Sequence, residues 1–394
     1  MKDFWSENLV KGKKINKKKI TIMAIIAIIL VAIIIIGVIY RANTNFREWF
    51  DVSILQKEIN RDDVATIEFN SEANVEICAY DKYIGLLSKN KFKVYNGSGK
   101  EEASLEIPAN NVMFNSSGRF LGIAENDGQN VFLISGQSMA WENKVEGNIS
   151  KINVNKNGYM AVVISDTSYK TVVSLYNPNG KELFKIYLSS TMVSDITISN
   201  DNKYLALAEI DTTASSLKSN VKIISIENAQ TDTDNSIVYI HNSDTNKLLI
   251  NIKYQDKNKL LCMYDGSIDM IYNEENTEIL KFSDRKVSFA TIEMNNTIAI
   301  AQEKSSGLFT ADSEITFINT DTQRESLYTV NDVTKEIYSA GNVLALNLGS
   351  ELHFVDKDGW LIKKYVAGQE ISKVFLAESI AGIVYRDKIE VVSL

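Results

Sequence analysis

A short apolar pattern that recurs eight times restricts the fold of this chain more than any other feature. In the segment DNKYLALAEI, residues 201–210, the small residue Ala206 lies between Leu205 and Leu207. The same arrangement, a small residue between two apolar ones, returns at an average interval of about 42 residues. The eight small residues are Gly85, Gly122, Ala161, Ala206, Cys262, Ala299, Ala345 and Gly382.

Each recurrence is surrounded by strand and turn signals. A further apolar residue lies seven or eight positions upstream, across a turn rich in Asp, Asn, Gly or Ser. An alternating segment follows downstream, such as Val173 and Leu175 in the third unit, and most units add a fourth strand. Units of four strands and roughly 40–45 residues are typical of propeller blades. The sequence therefore predicts an all-β, eight-bladed β-propeller, with seven blades as the alternative if one weak unit is miscounted.

The two ends of the repeat predict how the ring closes. The eighth unit ends at Leu394 after its third strand, while residues 63–70, DVATIEFN, form an orphan strand ahead of the first unit. We expect the orphan strand to supply the missing outer strand, because closure hides edges that otherwise promote aggregation. Cys262 occupies one of the small positions and is predicted to be a buried small side chain. Cys78 lies four blades away, too far for a disulfide.

An apolar segment near the N-terminus predicts a membrane anchor. Residues 20–40 contain no charge over 21 positions and would form a helix about 31 Å long. Seven lysines precede this segment, whereas only Arg41 and Arg47 follow it closely, so residues 1–19 are predicted to be cytoplasmic. A cleaved signal peptide is the competing interpretation. It is disfavoured because the apolar run is long and ends in VIYRANTNF without a small-x-small site.

These signals divide the chain into four predicted segments. Residues 1–19 form a basic cytoplasmic tail, residues 20–40 a transmembrane helix, residues 41–62 a juxtamembrane stalk or helix, and residues 63–394 an extracytoplasmic propeller. Trp49, in the juxtamembrane segment, suits either an aromatic belt at the bilayer surface or packing on the following domain. The predicted location is the cell membrane, with a single span and a cytoplasmic N-terminus.

Charge and composition exclude several classes of function. Without residues 1–19 the chain holds 35 basic and 48 acidic residues, a net charge of −13 that disfavours nucleic-acid binding. Only 2 Cys and 2 His argue against a disulfide scaffold or a zinc cluster. The acidic segments TDTDNS and DKDGW do not complete a calcium loop and are interpreted as turns. No phosphate-binding glycine loop occurs, and no metal or cofactor is predicted.

The sequence predicts no enzyme, because it shows no catalytic constellation. His241 and His353 are 112 residues apart, and no Ser or Cys has a nucleophile-elbow setting. A pair of carboxylates assembled from loops distant in sequence remains open as an alternative.

Enlarged loops between the second and third strands give the only positional indication of a binding surface. The distance from the small residue to the third strand is 12, 15 and 16 residues in units three, four and six, against 6 to 9 elsewhere. Such loops emerge on one face of a propeller and suit a protein or glycan contact. The alternative is that each loop buries its own apolar residue. The candidate binding residues in these loops are Tyr169, Asp211, Leu217, Leu308 and Phe309.

The strand pattern over residues 63–394 resembles the WD40-like and quinoprotein-like β-propeller superfamily. The whole arrangement of lysine-rich tail, single span and diverged propeller resembles an uncharacterised family of membrane-anchored proteins from Firmicutes. None of the four tryptophans is followed by Asp, and the Gly-rich tryptophan docking motif of quinoproteins is missing. The resemblance therefore implies a fold and not a pyrroloquinoline quinone site, and it assigns no residues.

The expected function is that of a binding or scaffold module. We expect a membrane-anchored propeller that recognises a protein or glycan at the bacterial cell envelope. One alternative is an envelope hydrolase or lyase with loop carboxylates in the central pocket. The other is a sensor that signals through a membrane partner, because a tail of 19 residues is too short for an output domain.

Overall fold

The structure is a computed structural model that describes residues 17–59, 64–70, 74–165, 168–211, 213, 218–244, 247–305 and 311–394. The chain divides into two compact units, Met1–Gln56 and Lys57–Leu394.

The first unit is helical. Helix α1 (Lys17–Ala42) contains the segment Thr21–Ala42, whose mean hydropathy of 3.6 and length are sufficient to cross a membrane. A short helix α2 (Thr44–Trp49) follows and continues into a π-helical turn, Phe50–Ile54. The predicted membrane span therefore forms one uninterrupted helix.

The second unit consists of eight four-stranded antiparallel sheets, the blades of a propeller. Blade 1 contains β2 (Glu76–Tyr80), β3 (Tyr83–Ser88), β4 (Lys91–Tyr95) and β5 (Glu101–Glu106), and blade 2 contains β6 (Val112–Ser117), β7 (Phe120–Glu125), β8 (Asn130–Ser135) and β9 (Ser138–Lys144). Blade 3 contains β10 (Asn148–Val154), β11 (Met160–Ser165), β12 (Thr171–Tyr176) and β13 (Glu182–Leu188), and blade 4 contains β14 (Thr191–Ile198), β15 (Tyr204–Asp211), β16 (Lys218–Ser225) and β17 (Ile237–Asn242).

Blades 5 to 8 continue the same order, except that the last blade takes its outer strand from the start of the domain. Blade 5 contains β18 (Leu249–Tyr254), β19 (Leu260–Tyr264), β20 (Ser267–Tyr272) and β21 (Glu275–Lys281), and blade 6 contains β22 (Val287–Met294), β23 (Thr297–Ser305), β24 (Ala311–Asn319) and β25 (Glu325–Val330). Blade 7 contains β26 (Glu336–Ala340), β27 (Val343–Asn347), β28 (Glu351–Asp356) and β29 (Leu361–Val366), and blade 8 contains β30 (Lys373–Ala377), β31 (Ile380–Val384), β32 (Lys388–Ser393) and β1 (Ala65–Glu68).

Strand β1 closes the ring. It pairs antiparallel with β32, with Ala65 opposite Val391 and Glu68 opposite Lys388. The first strand of every blade contacts the first strand of the next, and β30 contacts β2. The first strands therefore surround the central axis. The predicted eight-bladed ring with an N-terminal closing strand is confirmed, and the seven-bladed alternative is wrong.

The outer edge of blade 7 is extended by the chain that leads into β1. The backbone amide of Ile59 donates to the carbonyl of Lys364 at 2.8 Å, and the amide of Lys364 donates to the carbonyl of Lys57 at 2.9 Å. The two segments run parallel. An outer strand of this propeller thus accepts a further extended segment.

The recurring small residues lie on the second strand of each blade, one strand outward from the axis. A Cβ atom at Gly122 would come within 2.7 Å of Val154 Cγ2 in the next blade, which explains the small residue there. Cys262 is fully buried, as predicted. Both cysteines are free, and burial raises the pKa of each thiol, so neither is activated as a nucleophile.

Alternation of strand direction gives the disc two distinct faces. Turns between first and second strands, and between third and fourth strands, lie on one side, which we call the turn face. Loops between second and third strands, and the links between blades, lie on the opposite loop face. On the turn face the side-chain amide of Asn155 donates to Asn202 Oδ1 at 2.6 Å, and that of Asn258 donates to Asp201 Oδ2 at 3.0 Å. These bonds tie adjacent blades together.

Candidate functional site

Two of the loop residues that the sequence singles out lie in the described part of the chain. Tyr169 is 43% exposed on the loop face of blade 3, and its ring packs against Tyr187 with centroids 4.8 Å apart. Asp211 ends β15 in blade 4, where its carboxylate accepts from the amide and hydroxyl of Thr213 at 2.8 and 2.7 Å. Leu217, Leu308 and Phe309 lie outside the described residues. The two visible candidates make these contacts within separate, neighbouring blades.

Exposed apolar side chains concentrate on one part of the ring. Among the described propeller residues, eleven large apolar side chains are exposed, and eight of them belong to blades 3, 4 and 5. Blades 8, 1 and 2 contribute none to this set. We call the eight residues the apolar arc: Tyr169, Tyr187, Met192, Ile237, Val238, Ile240, Ile250 and Tyr272.

Of the eight residues in the apolar arc, only Tyr169 is predicted from the sequence as a binding residue. Met192 and Ile250 occupy the second position of the first strands of blades 4 and 5, close to the central axis on the loop face. Ile237, Val238 and Ile240 lie on β17, the outer strand of blade 4. A signal was present, because β17 alone among the outer strands contains no Asp, Glu, Lys or Arg. Charged residues normally protect such edges.

A polar cavity of about 230 Å³ lies at the axis between the first strands of blades 2 to 6. Lys151 Nζ is 2.8 Å from Asp195 Oδ1, and Lys253 Nζ is 2.6 Å from Glu293 Oε2. Asn251 donates a hydrogen bond to Glu293 from the same wall. We call these five residues the axial cluster. They come from four successive blades, so that basic and acidic groups alternate around the channel.

The two carboxylates of the axial cluster have opposite pKa shifts. Burial raises the pKa of Asp195, and this outweighs the opposing effect of Lys151 and of the Ile252 amide, which donates to Asp195 at 2.8 Å. Burial also acts on Glu293, but the charge and hydrogen bond of Lys253 prevail and lower its pKa. Carboxylates whose environments separate their pKa values suit acid and base roles.

His353 takes part in a chain of contacts between two blades. His353 is buried, with Nδ1 2.8 Å from the hydroxyl of Tyr328 and Nε2 3.3 Å from Glu351 Oε2. Its hydrogen bond, together with Lys364, lowers the pKa of Glu351 to about 2. This chain of contacts links strands of blades 6 and 7 and contains no Ser or Cys nucleophile.

The acidic turns likewise act as turns in the structure. The carboxylate of Asp232 accepts from the side chain of Asn235 at 2.7 Å and from the amide of Asp234 at 3.1 Å. Within the described residues, no group of three His, Cys, Asp or Glu side chains is arranged to hold a metal ion.

The comparisons with known proteins add a family and the fold. The profile of a family of unknown function, DUF5711, matches residues 57–394. The chain belongs to this family. No curated protein matches the chain.

Solved β-propeller structures resemble this chain, although their sequence identity to it is low. BamB from Moraxella catarrhalis is 9% identical with a TM-score of 0.50, over 84% of this chain and 99% of BamB. Sqt1 from Chaetomium thermophilum, bound to the N-terminus of the ribosomal protein L10, is 11% identical with a TM-score of 0.52. That match covers 85% of this chain and 100% of Sqt1. At this identity the likeness shows the β-propeller fold alone.

Proposed function

We propose that this DUF5711 member is a single-span membrane protein of the bacterial cell envelope, whose extracytoplasmic propeller binds another envelope protein through the apolar arc. The observation that carries the proposal is the confinement of eight of eleven exposed large apolar side chains to blades 3, 4 and 5. Exposed apolar and aromatic side chains on a rigid domain are typical of protein interaction sites, and here they occupy the faces and the outer edge of three successive blades. The function is recognition without bond making.

Three further features bear on this proposal. Sqt1, which shares the fold, was solved with the N-terminus of another protein bound to it. A membrane anchor in the helix Thr21–Ala42 would raise the local concentration of the propeller near other envelope proteins. The net charge of −13 outside residues 1–19 disfavours anionic polymers as partners.

The proposed binding is tested in living cells with a photoreactive amino acid at Tyr187 or Met192 of the full-length chain. We expect a discrete crosslinked protein from both positions. Ser104, exposed on β5 of blade 1, is the matched control and should give none. Equal crosslinking from Ser104 and from the apolar arc would contradict the proposal.

The proposed topology is tested by adding protease to intact cells. We expect the propeller to be degraded while residues 1–19 stay protected on the cytoplasmic side. A protected propeller together with a cleaved N-terminal tail would reverse the orientation.

The axial cluster favours a second candidate function, an envelope hydrolase or lyase. Asp195, with its raised pKa, would act as the acid, and Glu293, with its lowered pKa, as the base. The full-length chain is assayed on peptidoglycan fragments. A Glu293→Gln variant should then lose product formation by about a hundredfold or more, while Glu101→Gln on blade 1 keeps it. No product from the unaltered chain would exclude this candidate.

A further inference from the structure

The outer strand of blade 4 has the properties of an open edge. Ile237, Val238 and Ile240 are 41%, 42% and 47% exposed, and no charge interrupts β17. Within the described residues β16 is the one strand that pairs with β17, so the opposite backbone edge faces outward. An uncharged edge of this kind presents backbone donors and acceptors to a further extended segment.

The same propeller already contains one such strand addition. On blade 7, residues 57–59 pair with β29 through backbone bonds of 2.8 and 2.9 Å. The outer strand of blade 7 therefore accepts a short added segment. On β29 the addition is made by the chain itself, whereas β17 offers the same edge to another molecule.

A groove adjoins the open edge where β17 begins. It has a volume of about 380 Å³ and lies between blades 4 and 5 on the turn face. Val238 and Tyr239 of β17 form part of its wall, so a segment paired with β17 would pass directly beside it. The other principal lining residues are Tyr204, Tyr254, Asn258, Tyr272 and Glu274.

The chemistry of the groove suits a positively charged side chain. Four tyrosine rings line it, and aromatic faces attract ammonium and guanidinium groups. The ring of Tyr272 already has such a contact, because Lys259 Nζ lies 5.7 Å from its centroid, so the other three rings are the ones open to a further cation. Glu274 is exposed in the groove wall, and no basic side chain among the described residues forms an ion pair with its carboxylate. The buried hydroxyl of Tyr254, another lining residue, has no hydrogen-bond partner among the described residues. A guanidinium or ammonium group in the groove would pair with the Glu274 carboxylate.

We propose that blade 4 binds an extended peptide that adds a fifth strand to β17 and places an arginine or lysine side chain in the groove lined by Tyr239, Tyr272 and Glu274. Backbone pairing would supply affinity and the basic side chain would supply selection. This inference rests on the proposed protein-binding function and names the chemistry of the partner segment.

The test uses the full-length chain in lipid nanodiscs and a phage-displayed library of random dodecapeptides. We expect the selected peptides to carry an arginine or lysine within alternating apolar residues. A Val238→Lys change in the edge and a Glu274→Gln change in the groove should each weaken binding of a selected synthetic peptide by about tenfold or more. Methylation of alternate backbone nitrogens of the peptide should abolish binding, because it removes the donors that pair with β17.

Matched controls separate these effects from general damage. Leu327→Lys alters an exposed apolar residue on the outer strand of blade 6, and Glu275→Gln alters the neighbouring exposed carboxylate. Both should leave binding within about twofold of the unaltered chain, since each alters a side chain outside the groove lining. Equal loss in the controls, or binding that survives Val238→Lys and backbone methylation, would overturn the inference.

A glycan in the groove is the competing outcome. A tetramer of N-acetylglucosamine is tested against the same variants. If this sugar binds and Glu274→Gln abolishes its binding, while no peptide is enriched, the peptide site is refuted. Crosslinks from Tyr187 and Met192 report on the proposed function at other positions. If these crosslinks form but the selection yields no binding peptide, the peptide site is rejected and the proposed protein-binding function stands.

Discussion

Blades 8, 1 and 2, which we call the closing arc, differ from blades 3, 4 and 5 in both packing and surface. At the recurring small position of the second strand the closing arc has Gly382, Gly85 and Gly122, whereas blades 3, 4 and 5 have alanine or cysteine. A Cβ atom at the three glycines would come within 2.4 to 3.0 Å of a neighbouring side chain. A side chain at these positions would require its neighbours in the closing arc to move.

The two regions also differ in the number of apolar side chains that they expose. The closing arc exposes none of the eleven large apolar side chains, and its outer strands carry charged residues such as Glu101 and Glu142. Blades 3, 4 and 5 expose eight, and β17 carries no charge at all. We infer that the ring separates two tasks. The closing arc holds the two ends of the domain together, and blades 3, 4 and 5 retain a surface that folding does not require.

Removing the cation of an ion pair should give the largest difference in unfolding free energy between the two regions. In blade 4, Lys222 Nζ lies 2.6 Å from Glu209 Oε1, and the Glu209 side chain is 1% exposed. A Lys222→Met change should lower the free energy of unfolding by about 3–5 kcal/mol, because it leaves a buried carboxylate without its cation. In blade 1 the Lys93–Glu101 pair is about 40% exposed on both sides, and Lys93→Met should cost less than about 1 kcal/mol. Denaturant unfolding of the full-length variants measures both, and equal losses would contradict the contrast.

The outer strands give the second contrast, with one residue type in two settings. Ile67 of the closing strand β1 is 4% exposed, whereas Ile240 of β17 is 47% exposed. Replacing Ile67 by alanine should cost about 3 kcal/mol, because it removes buried methyl groups and leaves a cavity. The same change at Ile240 should cost less than about 0.5 kcal/mol. Thermal unfolding of the two variants decides this, and a strongly destabilised Ile240→Ala chain would show that β17 serves folding.

Substitutions at the recurring small residues should give a third and smaller difference in stability between the two regions. At Gly85 an added Cβ would meet the Phe92 ring at 2.4 Å, so Gly85→Ala should destabilise the closing arc by about 1–3 kcal/mol. Ala206 in blade 4 already accommodates a fully buried methyl group, and Ala206→Gly should cost about 1–2 kcal/mol through backbone entropy and the lost methyl burial. The midpoints of urea unfolding compare the two. A stabilised Gly85→Ala chain would mean that the neighbouring ring moves aside.

The sequence predicts the ring well because its signal is repeated. Eight copies of one apolar pattern predict eight blades, with seven as the alternative, and the unit that ends at Leu394 after three strands predicts residues 63–70 as its fourth strand. The structure places that strand at Ala65–Glu68, paired with β32. Each unit supports the interpretation of the others, which a single strand pattern cannot do.

The candidate sites are far less predictable, because each depends on the placement of residues from different blades. Lys151 and Glu293 of the axial cluster are more than a hundred residues apart, and they line the same cavity only once the ring has formed. Tyr169 contacts Tyr187 because of the register of β13, which the loop sequence does not encode. The apolar residues of β17 match the pattern of a buried strand. Only its outer position leaves them exposed.

Two matching hairpin turns provide the finest comparison between the regions. Lys89 and Asn90 in blade 1 have φ of 49° and 65°, and Asn273 and Glu274 in blade 5 have φ of 50° and 64°. Asparagine tolerates this left-handed region, whereas glutamate in it is strained by roughly 1–2 kcal/mol.

Glu274→Gly should therefore stabilise the chain by about 0.5 kcal/mol, because relief of the strain exceeds the added entropy of the unfolded glycine. Asn90→Gly should leave stability nearly unchanged. If Glu274 is retained for its carboxylate in the groove, the Glu274→Gly chain will be more stable and will bind the basic peptide about tenfold more weakly. Calorimetry and peptide titration of the same samples measure both changes. Undiminished binding in the stabilised chain would show that Glu274 has no part in the site.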